Sequence, residues 1–269
     1  MCYDILIVGG GPAGLSAAIN GRVRGKTVLL LSSPMEDSPL WKAERVENYL
    51  GLPGVTGAEL LTAFRRHAEA SGAELRELRA LSAMPVGDRW YLSGEDQVFE
   101  GRALILAAGA VRGKPLPGEE RLLGRGVSYC ATCDGMLYRG RNVVVLGWTG
   151  SAEREADFLR GIGCAVRYYD RPQGVEILGE EAVTGVRVNG REEAADAVFL
   201  LRPAVAPAAL LPGLAMENGS VTVDRQMATN LPGVFAAGDC TGAPYQVAKA
   251  VGEGLIAGQS AAKWADRQG

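Results

Sequence analysis

The sequence contains one histidine, His67. A Ser–His or Cys–His nucleophile would have to use it, yet it sits among charges in Phe64-Arg65-Arg66-His67-Ala68-Glu69, the setting of a solvated residue. Cysteine is scarce, with five in the chain, an odd number. The start, Met1-Cys2-Tyr3-Asp4, lacks the basic segment of a secretory signal. Both features argue against a disulfide framework and for a cytoplasmic chain. No apolar run approaches the ~18 residues of a membrane-spanning helix. Basic residues are in slight deficit: 28 Lys and Arg against 31 Asp and Glu leave a net charge of −3. That balance carries no footprint for nucleic acid. Glycine, by contrast, is plentiful: 37 in 269 residues, about twice the usual share. Many backbone positions are therefore expected in tight turns or close to a ligand.

The apolar runs give the organisation. Asp4-Ile5-Leu6-Ile7-Val8 reads as a strand, Gly9-Gly10-Gly11-Pro12-Ala13-Gly14 as a turn, Leu15-Ser16-Ala17-Ala18-Ile19-Asn20 as a helix, and Thr27-Val28-Leu29-Leu30-Leu31 as a second strand. This is a βαβ unit on a parallel sheet. The pattern returns at Asn142-Val143-Val144-Val145-Leu146, followed by Gly147-Trp148-Thr149-Gly150-Ser151-Ala152, a helix over 153–160 and a strand over 165–169. Residues 53–72 hold an amphipathic helix with Leu60, Leu61 and Phe64 on its apolar side. Further buried strands end in glycine at Gly109 and Gly238, and an Ala- and Gly-rich helix covers 246–265. The expected fold is α/β, with two Rossmann-like units.

Gly9, Gly11 and Gly14 satisfy G-x-G-x-x-G between a strand and a helix. The first glycine makes the turn, the second admits a pyrophosphate, and the third lets helix and strand pack closely. The alternative is a glycine-rich turn without a ligand. The acid expected after the second strand is replaced by Ser32 and Ser33, whose hydroxyls are able to bond a ribose. The second feature is Cys130-Ala131-Thr132-Cys133-Asp134. C-x-x-C serves as a redox dithiol or as half a zinc site. Zinc needs further soft ligands, and Cys2, Cys164 and Cys240 form no second C-x-x-C, so no metal site is expected. Inert thiols are the other alternative. In a dithiol, C-x-x-C geometry lowers one thiol's pKa and makes it a nucleophile. Asp134 is placed to exchange its protons, or else serves as a turn or capping aspartate.

With these motifs in view, the chain resembles the low-molecular-weight thioredoxin reductases. Gly126-Val127-Ser128-Tyr129 leading into Cys130-Ala131-Thr132-Cys133-Asp134-Gly135 looks like their redox centre. Val46-Glu47-Asn48-Tyr49, Ala107-Ala108-Gly109-Ala110 and Gly233-Val234-Phe235-Ala236-Ala237-Gly238-Asp239 look like their FAD regions. The resemblance implies FAD held by Gly9, Gly11, Pro12, Ala13, Gly14, Ser33, Leu40, Asn48, Ala108, Gly109, Gly238, Asp239, Gln246 and Val247. Asp239 would bind the ribityl chain, and Gln246 and Val247 would lie near the ring. It implies that Cys133 faces the flavin, that Cys130 attacks the disulfide of thioredoxin, and that Asp134 is the acid. It also implies a homodimer. The FAD-binding domain would span 1–112 and 206–269, split by a shortened redox-active domain over 113–205.

The chain also departs from that family. In the second glycine loop Thr149 replaces the middle glycine and Trp148 adds bulk, obstructing a pyrophosphate. Where the family carries a histidine and arginines for a 2′-phosphate, this chain reads Tyr168-Tyr169-Asp170-Arg171-Pro172. Between Pro172 and Ala197 the chain is expected to be too short for the usual extra helix and hairpin. The first half departs as well: Asp37-Ser38-Pro39-Leu40 stands where a glycine-glutamine stretch usually touches FAD. These features, with Gly238-Asp239-Cys240-Thr241-Gly242-Ala243-Pro244-Tyr245-Gln246, are similar to the ferredoxin-dependent flavin thioredoxin reductases. The implied activity passes electrons from ferredoxin through FAD and Cys130–Cys133 to thioredoxin. Alternatives are an NADH-dependent disulfide reductase, with Asp170 on a ribose hydroxyl, an oxygen-using dithiol oxidase, and a flavin redox sensor without turnover.

Overall fold

The β-branched run after Tyr3 forms β1 (Cys2–Val8), and its residues from Ile5 to Ile7 are completely buried. The computed structural model describes residues 2–94, 97–109, 115–129, 131–148, 152–202 and 207–268, with the side chains of 132 and 133 excluded. The chain divides into two compact units, Met1–Val111 with Ala204–Gly269, and Arg112–Pro203.

In the first unit β1 leads through α1 (Pro12–Val23) to β2 (Val28–Ser32), then α2 (Gly57–Ala70) and β3 (Glu74–Glu77). A meander follows: β4 (Ala80–Val86), β5 (Arg89–Gly94) and β6 (Gln97–Leu106). The sheet runs β3-β2-β1-β6-β5-β4. β1 is parallel to both β2 (Ile5 opposite Val28) and β6 (Ile5 opposite Ala103). The first half of β6 pairs antiparallel with β5, Tyr91 opposite Glu100. The helix α2 begins at a reciprocal cap. The Thr56 hydroxyl accepts from the Glu59 N–H at 3.2 Å, and the Glu59 carboxylate accepts from the Thr56 N–H at 2.8 Å.

The second unit opens with α3 (Glu119–Leu122), β7 (Val127–Ser128) and α4 (Ala131–Asp134). β8 (Asn142–Gly147), α5 (Ala152–Gly161) and β9 (Ala165–Asp170) form the second βαβ unit. β10 (Val175–Leu178), β11 (Gly185–Val188), β12 (Arg191–Ala194) and β13 (Ala197–Leu201) complete it. Its parallel sheet has the order β7-β13-β8-β9, and β10-β11-β12 form a separate antiparallel sheet. The stretch between Pro172 and Ala197 is therefore long enough for a hairpin, contrary to expectation. Asn189 and Gly190, both at positive φ, turn β11 into β12 in two residues, and such a turn needs little chain. No helix occurs among the described residues of that stretch.

The chain then returns to the first unit as α6 (Pro207–Leu210), β14 (Met216–Glu217), β15 (Ser220–Val221), β16 (Val234–Ala236) and α7 (Val247–Arg267). β16 joins the parallel sheet beside β6, Phe235 opposite Ile105. Alternation of side chains makes three layers. Ile5, Ile7, Leu30 and Ile105 face Ala17, Ala257 and Ala261 of α1 and α7. Leu6, Leu29 and Leu104 face Trp90 and Leu92 of the meander and Leu210 of α6. This is the expected α/β class. Among the described residues no helix is long and apolar enough to cross a membrane.

Candidate active site

The parallel strands of the first unit all end at one edge of the sheet, and the glycine motifs follow them there. Gly9 has φ +110°, and a Cβ on it would collide with the Ala107 carbonyl. A Cβ on Gly14 would collide with the Gly9 carbonyl. Only glycine fits either place. Gly11 differs: a Cβ there would meet no protein atom within 4 Å. It is the N-cap of α1, and no side chain caps that helix end. No protein atom among the described residues therefore constrains this position. Open space at an uncapped helix N-terminus, framed by glycine, fits the pyrophosphate of a dinucleotide.

The other predicted residues gather unevenly. Ala108 and Gly109 follow β6, Ser33 follows β2, and Gly238 and Asp239 follow β16, all at the same edge. A Cβ on Gly238 would stand 2.8 Å from that of Ala13, so the third motif touches the start of α1. Gln246 stands at the N-cap position of α7, exposed and without a side-chain capping bond, with Val247 half-buried behind it. Asn48 is exposed on the loop before α2. Leu40 packs against the helix-side core, and its carbonyl leaves no room for a Cβ on Gly57. Its side chain is thus used for packing.

One group escapes a reading of motifs. Lys249, on the first turn of α7, donates to the carbonyls of Gly238 (2.8 Å) and Gly242 (2.7 Å) and to the Thr241 hydroxyl (2.8 Å). Glu253, one turn on, pairs with Lys249 at 3.0 Å. It also accepts from the Gly238 N–H and the Thr241 hydroxyl, each at 2.8 Å. The pair ties the turn carrying Asp239 to α7. Beside it Cys240 is buried in apolar surroundings, which push its thiol up to about 12. It is a packing residue. His67 is exposed on α2, and Cys164 is buried with its Sγ 3.2 Å from the Tyr138 carbonyl.

In the second unit Cys130 lies outside the described residues, as do Thr149 and the side chain of Cys133. Cys133 itself belongs to the short helix α4. The surroundings are well defined. The Ser128 hydroxyl donates to the Asp134 carboxylate at 2.7 Å, spanning the C-x-x-C from one side to the other. A Cβ on Gly135 would stand 2.6 Å from Leu159, so the turn after the motif lies flat on α5. Met136 and Leu137 follow, 57% and 76% exposed.

Tyr129, immediately before Cys130, donates from its hydroxyl to Glu119 at 2.9 Å. Glu119 is 3% exposed. Arg202 donates to both of its oxygens, at 2.7 and 2.9 Å, and the Leu116 N–H donates at 2.7 Å. Burial and then the Glu119 charge push the Tyr129 phenol far above its ordinary value, so it stays a donor. The Arg202 guanidinium stacks on Trp148, 5.3 Å from the ring centroid. On the other flank of the same turn Tyr168 covers Gly147, its ring 2.8 Å from where a Cβ would be. At the exit of β8, where a dinucleotide would enter a second Rossmann unit, the described side chains of Trp148, Tyr168 and Arg202 crowd the strand end. Asp170 is exposed at the end of β9 and accepts from the Tyr168 hydroxyl at 3.4 Å.

Comparison with known proteins gives consistent results. The model of the family described as pyridine nucleotide-disulphide oxidoreductase matches residues 3–181 and 171–254. A thioredoxin reductase of Listeria innocua serovar 6a is 31% identical, over 98% of this chain and 94% of its own. The crystal structure of a ferredoxin-flavin thioredoxin reductase from Clostridium acetobutylicum superposes with a TM-score of 0.88 at 39% identity, covering 100% of this chain and 99% of that one. A thioredoxin reductase from T. acidophilum, 29% identical and covering 100% and 99% of the two chains, gives a TM-score of 0.61.

Proposed function

The chain belongs to the pyridine nucleotide-disulphide oxidoreductase family, whose thioredoxin reductase members are FAD-binding flavoproteins, and from that premise we propose that it reduces thioredoxin with electrons from ferredoxin. Residues 1–112 and 206–269 form the FAD-binding domain in this reading, residues 113–205 the dithiol domain, and the working form is a homodimer. The glycine edge of the first unit holds FAD: Gly9, Gly11, Pro12, Ala13 and Gly14 at the pyrophosphate, Asp239 at the ribityl chain. Ser33, Leu40, Asn48, Ala108, Gly109, Gly238, Gln246 and Val247 line it. Bound FAD accepts electrons singly and yields them in pairs, the conversion a one-electron donor requires.

The thiol chemistry belongs to the chain. The thiolate of Cys130 attacks one sulfur of the thioredoxin disulfide; a Cys130–thioredoxin disulfide forms and one thioredoxin thiolate leaves. Cys133 then attacks Cys130, forming the Cys130–Cys133 disulfide and releasing the second thiolate. Two electrons have passed to thioredoxin, and the leaving thiolates take up protons. Asp134, oriented by Ser128, is the residue beside the dithiol able to exchange them.

The observation that carries the choice of donor is the crowding of side chains at the end of β8, with Tyr168 over Gly147 and Arg202 on Trp148. The similarity to the Clostridium acetobutylicum protein supports the same choice. Ferredoxins near −400 mV lie well below thioredoxin near −270 mV, so two electrons fall by roughly 6 kcal/mol. Asp170 at the end of β9 favours a second reading, an NADH-dependent reductase. Anaerobic mixing separates the two. Reduced ferredoxin should bleach the flavin, and oxidised thioredoxin should restore it, while NADPH and NADH leave it yellow. Prompt bleaching by NADH would give the site on β9 back to a nucleotide. Full thioredoxin reduction by Cys133→Ser would end the proposed dithiol path.

A further inference from the structure

Glu119 and Arg202 stand 83 residues apart in sequence and form an ion pair at 2.7 Å, with Glu119 almost wholly buried. Burying a carboxylate is costly unless its hydrogen-bonding capacity is filled. Here it is filled four times: twice by Arg202, once by the Leu116 N–H, and once by the Tyr129 hydroxyl. Three of these donors are the Arg202 guanidinium, twice, and the Leu116 backbone. The fourth belongs to the residue that precedes Cys130. Arg202, in turn, is braced by Trp148, in the turn after β8. A line of contacts therefore runs from that turn through Arg202 and Glu119 to Tyr129 and ends at the dithiol segment.

We propose that Tyr129, Glu119 and Arg202 are positioning residues for Cys130, and that Trp148, at the end of β8, braces them where a Rossmann unit would hold a phosphate. Thiol–disulfide exchange proceeds through attack of a thiolate on a disulfide sulfur. When the disulfide sits on a docked protein, the thiolate must hold its direction, because the substrate is not free to turn toward it. Ser128, bonded to Asp134, restrains the same strand one residue earlier. Tyr129 adds the second restraint, and its partner is fixed by charge in the core of the unit. The proposal rests on the reading that Cys130 and Cys133 exchange with thioredoxin.

The test is single-turnover exchange with Tyr129→Phe, which deletes one hydroxyl and keeps the ring. FAD-loaded protein is reduced with dithiothreitol, desalted anaerobically and mixed with oxidised thioredoxin, and thiols are trapped with time. The expected result is a limiting rate about tenfold lower, the size of one lost hydrogen bond to a charged acceptor, at an unchanged half-saturating thioredoxin concentration and full amplitude. Glu119→Gln removes the counter-charge of Arg202 and sets an amide donor against two donors, so it should lose amplitude as well as limiting rate. A merely structural role would lower the amplitude, the fraction of folded enzyme, and leave the rate of the rest alone. An unchanged limiting rate, or a loss of amplitude alone, overturns the proposal. If the wild type itself transfers no electrons to thioredoxin, the functional reading fails; if it does and Tyr129→Phe matches it, only the positioning role fails.

Discussion

Replacing Lys249 with methionine tests whether the turn carrying Asp239 depends on a charge. The substitution keeps the length of the stem and deletes three hydrogen bonds, to Gly238, Thr241 and Gly242. It also leaves Glu253 with two neutral donors and no cation. The Lys249 and Glu253 side chains are 16% and 18% exposed, so the pair lies nearer to a buried one than to a surface one. Removing one partner of a buried pair costs about 3–5 kcal/mol, and an exposed pair about 0–1 kcal/mol. With a sixth of each side chain in contact with water, a loss of about 3 kcal/mol is expected. Urea unfolding followed by flavin fluorescence reads it, because the proposed flavin contacts all lie in the first unit. The midpoint should fall at constant slope, and the variant should release FAD more readily. Glu253→Leu added to Lys249→Met should recover part of the loss, since no lone carboxylate remains. A loss below about 1 kcal/mol, or strictly additive losses in the double variant, would refute the reasoning.

Gly11→Ala and Gly14→Ala should part ways. The Gly11 methyl meets nothing in the protein, so this variant should keep its thermal midpoint while FAD affinity falls at least about tenfold, as expected when a side chain blocks the phosphate approach; wild-type affinity in a FAD titration would remove Gly11 from the site. Gly14→Ala should lose stability outright, because its methyl would enter the Gly9 carbonyl. Cys240 predicts a pH dependence. Its thiol, raised by burial to about 12 in the folded protein, ionises near 8.5 once unfolded. The unfolded state then binds fewer protons, so stability falls as pH rises above about 8.5, by about 1.4 kcal/mol per unit, until about 12. Cys240→Ala should lack this slope between pH 9 and 11, and parallel curves for the two proteins would count against the assignment.

The parallel strands β1, β6, β8 and β16 were legible because each is a short apolar run reaching glycine at its end or within three residues, at Gly9, Gly109, Gly147 and Gly238; the polar β3, Glu74-Leu75-Arg76-Glu77, was not. The antiparallel strands were not. β4 and β5 mix polar and apolar residues on a half-covered face, and their signal is the Gly87-Asp88 turn between them rather than their hydrophobicity. Asn189-Gly190 and Asn218-Gly219 mark two further hairpins, β11–β12 and β14–β15, in the same way. The site divides along similar lines. Glycine motifs declare themselves because their constraint is local in sequence. Lys249 and Glu253 look like any helical pair at i and i+4, and only the fold brings them to Gly238. Glu119 and Arg202 carry no spacing at all. Leu40 is a position whose partial packing against the helix-side core only the fold displays.

The strand β6 has a consequence for the way the molecule is made. Its first half is satisfied by β5, its immediate predecessor, while its second half needs β16, more than a hundred residues later in the chain. During synthesis the second unit, Arg112–Pro203, is complete before β16 leaves the ribosome. Until then Leu104, Ile105 and Leu106 present an open strand edge, and the apolar face that α7 will cover stays wet. Such an edge is a template for pairing with another chain, and its closure depends on a contact of long sequence separation, which is slow to form. The nascent first unit is therefore the aggregation-prone stage, and truncation anywhere before Val234 leaves it there.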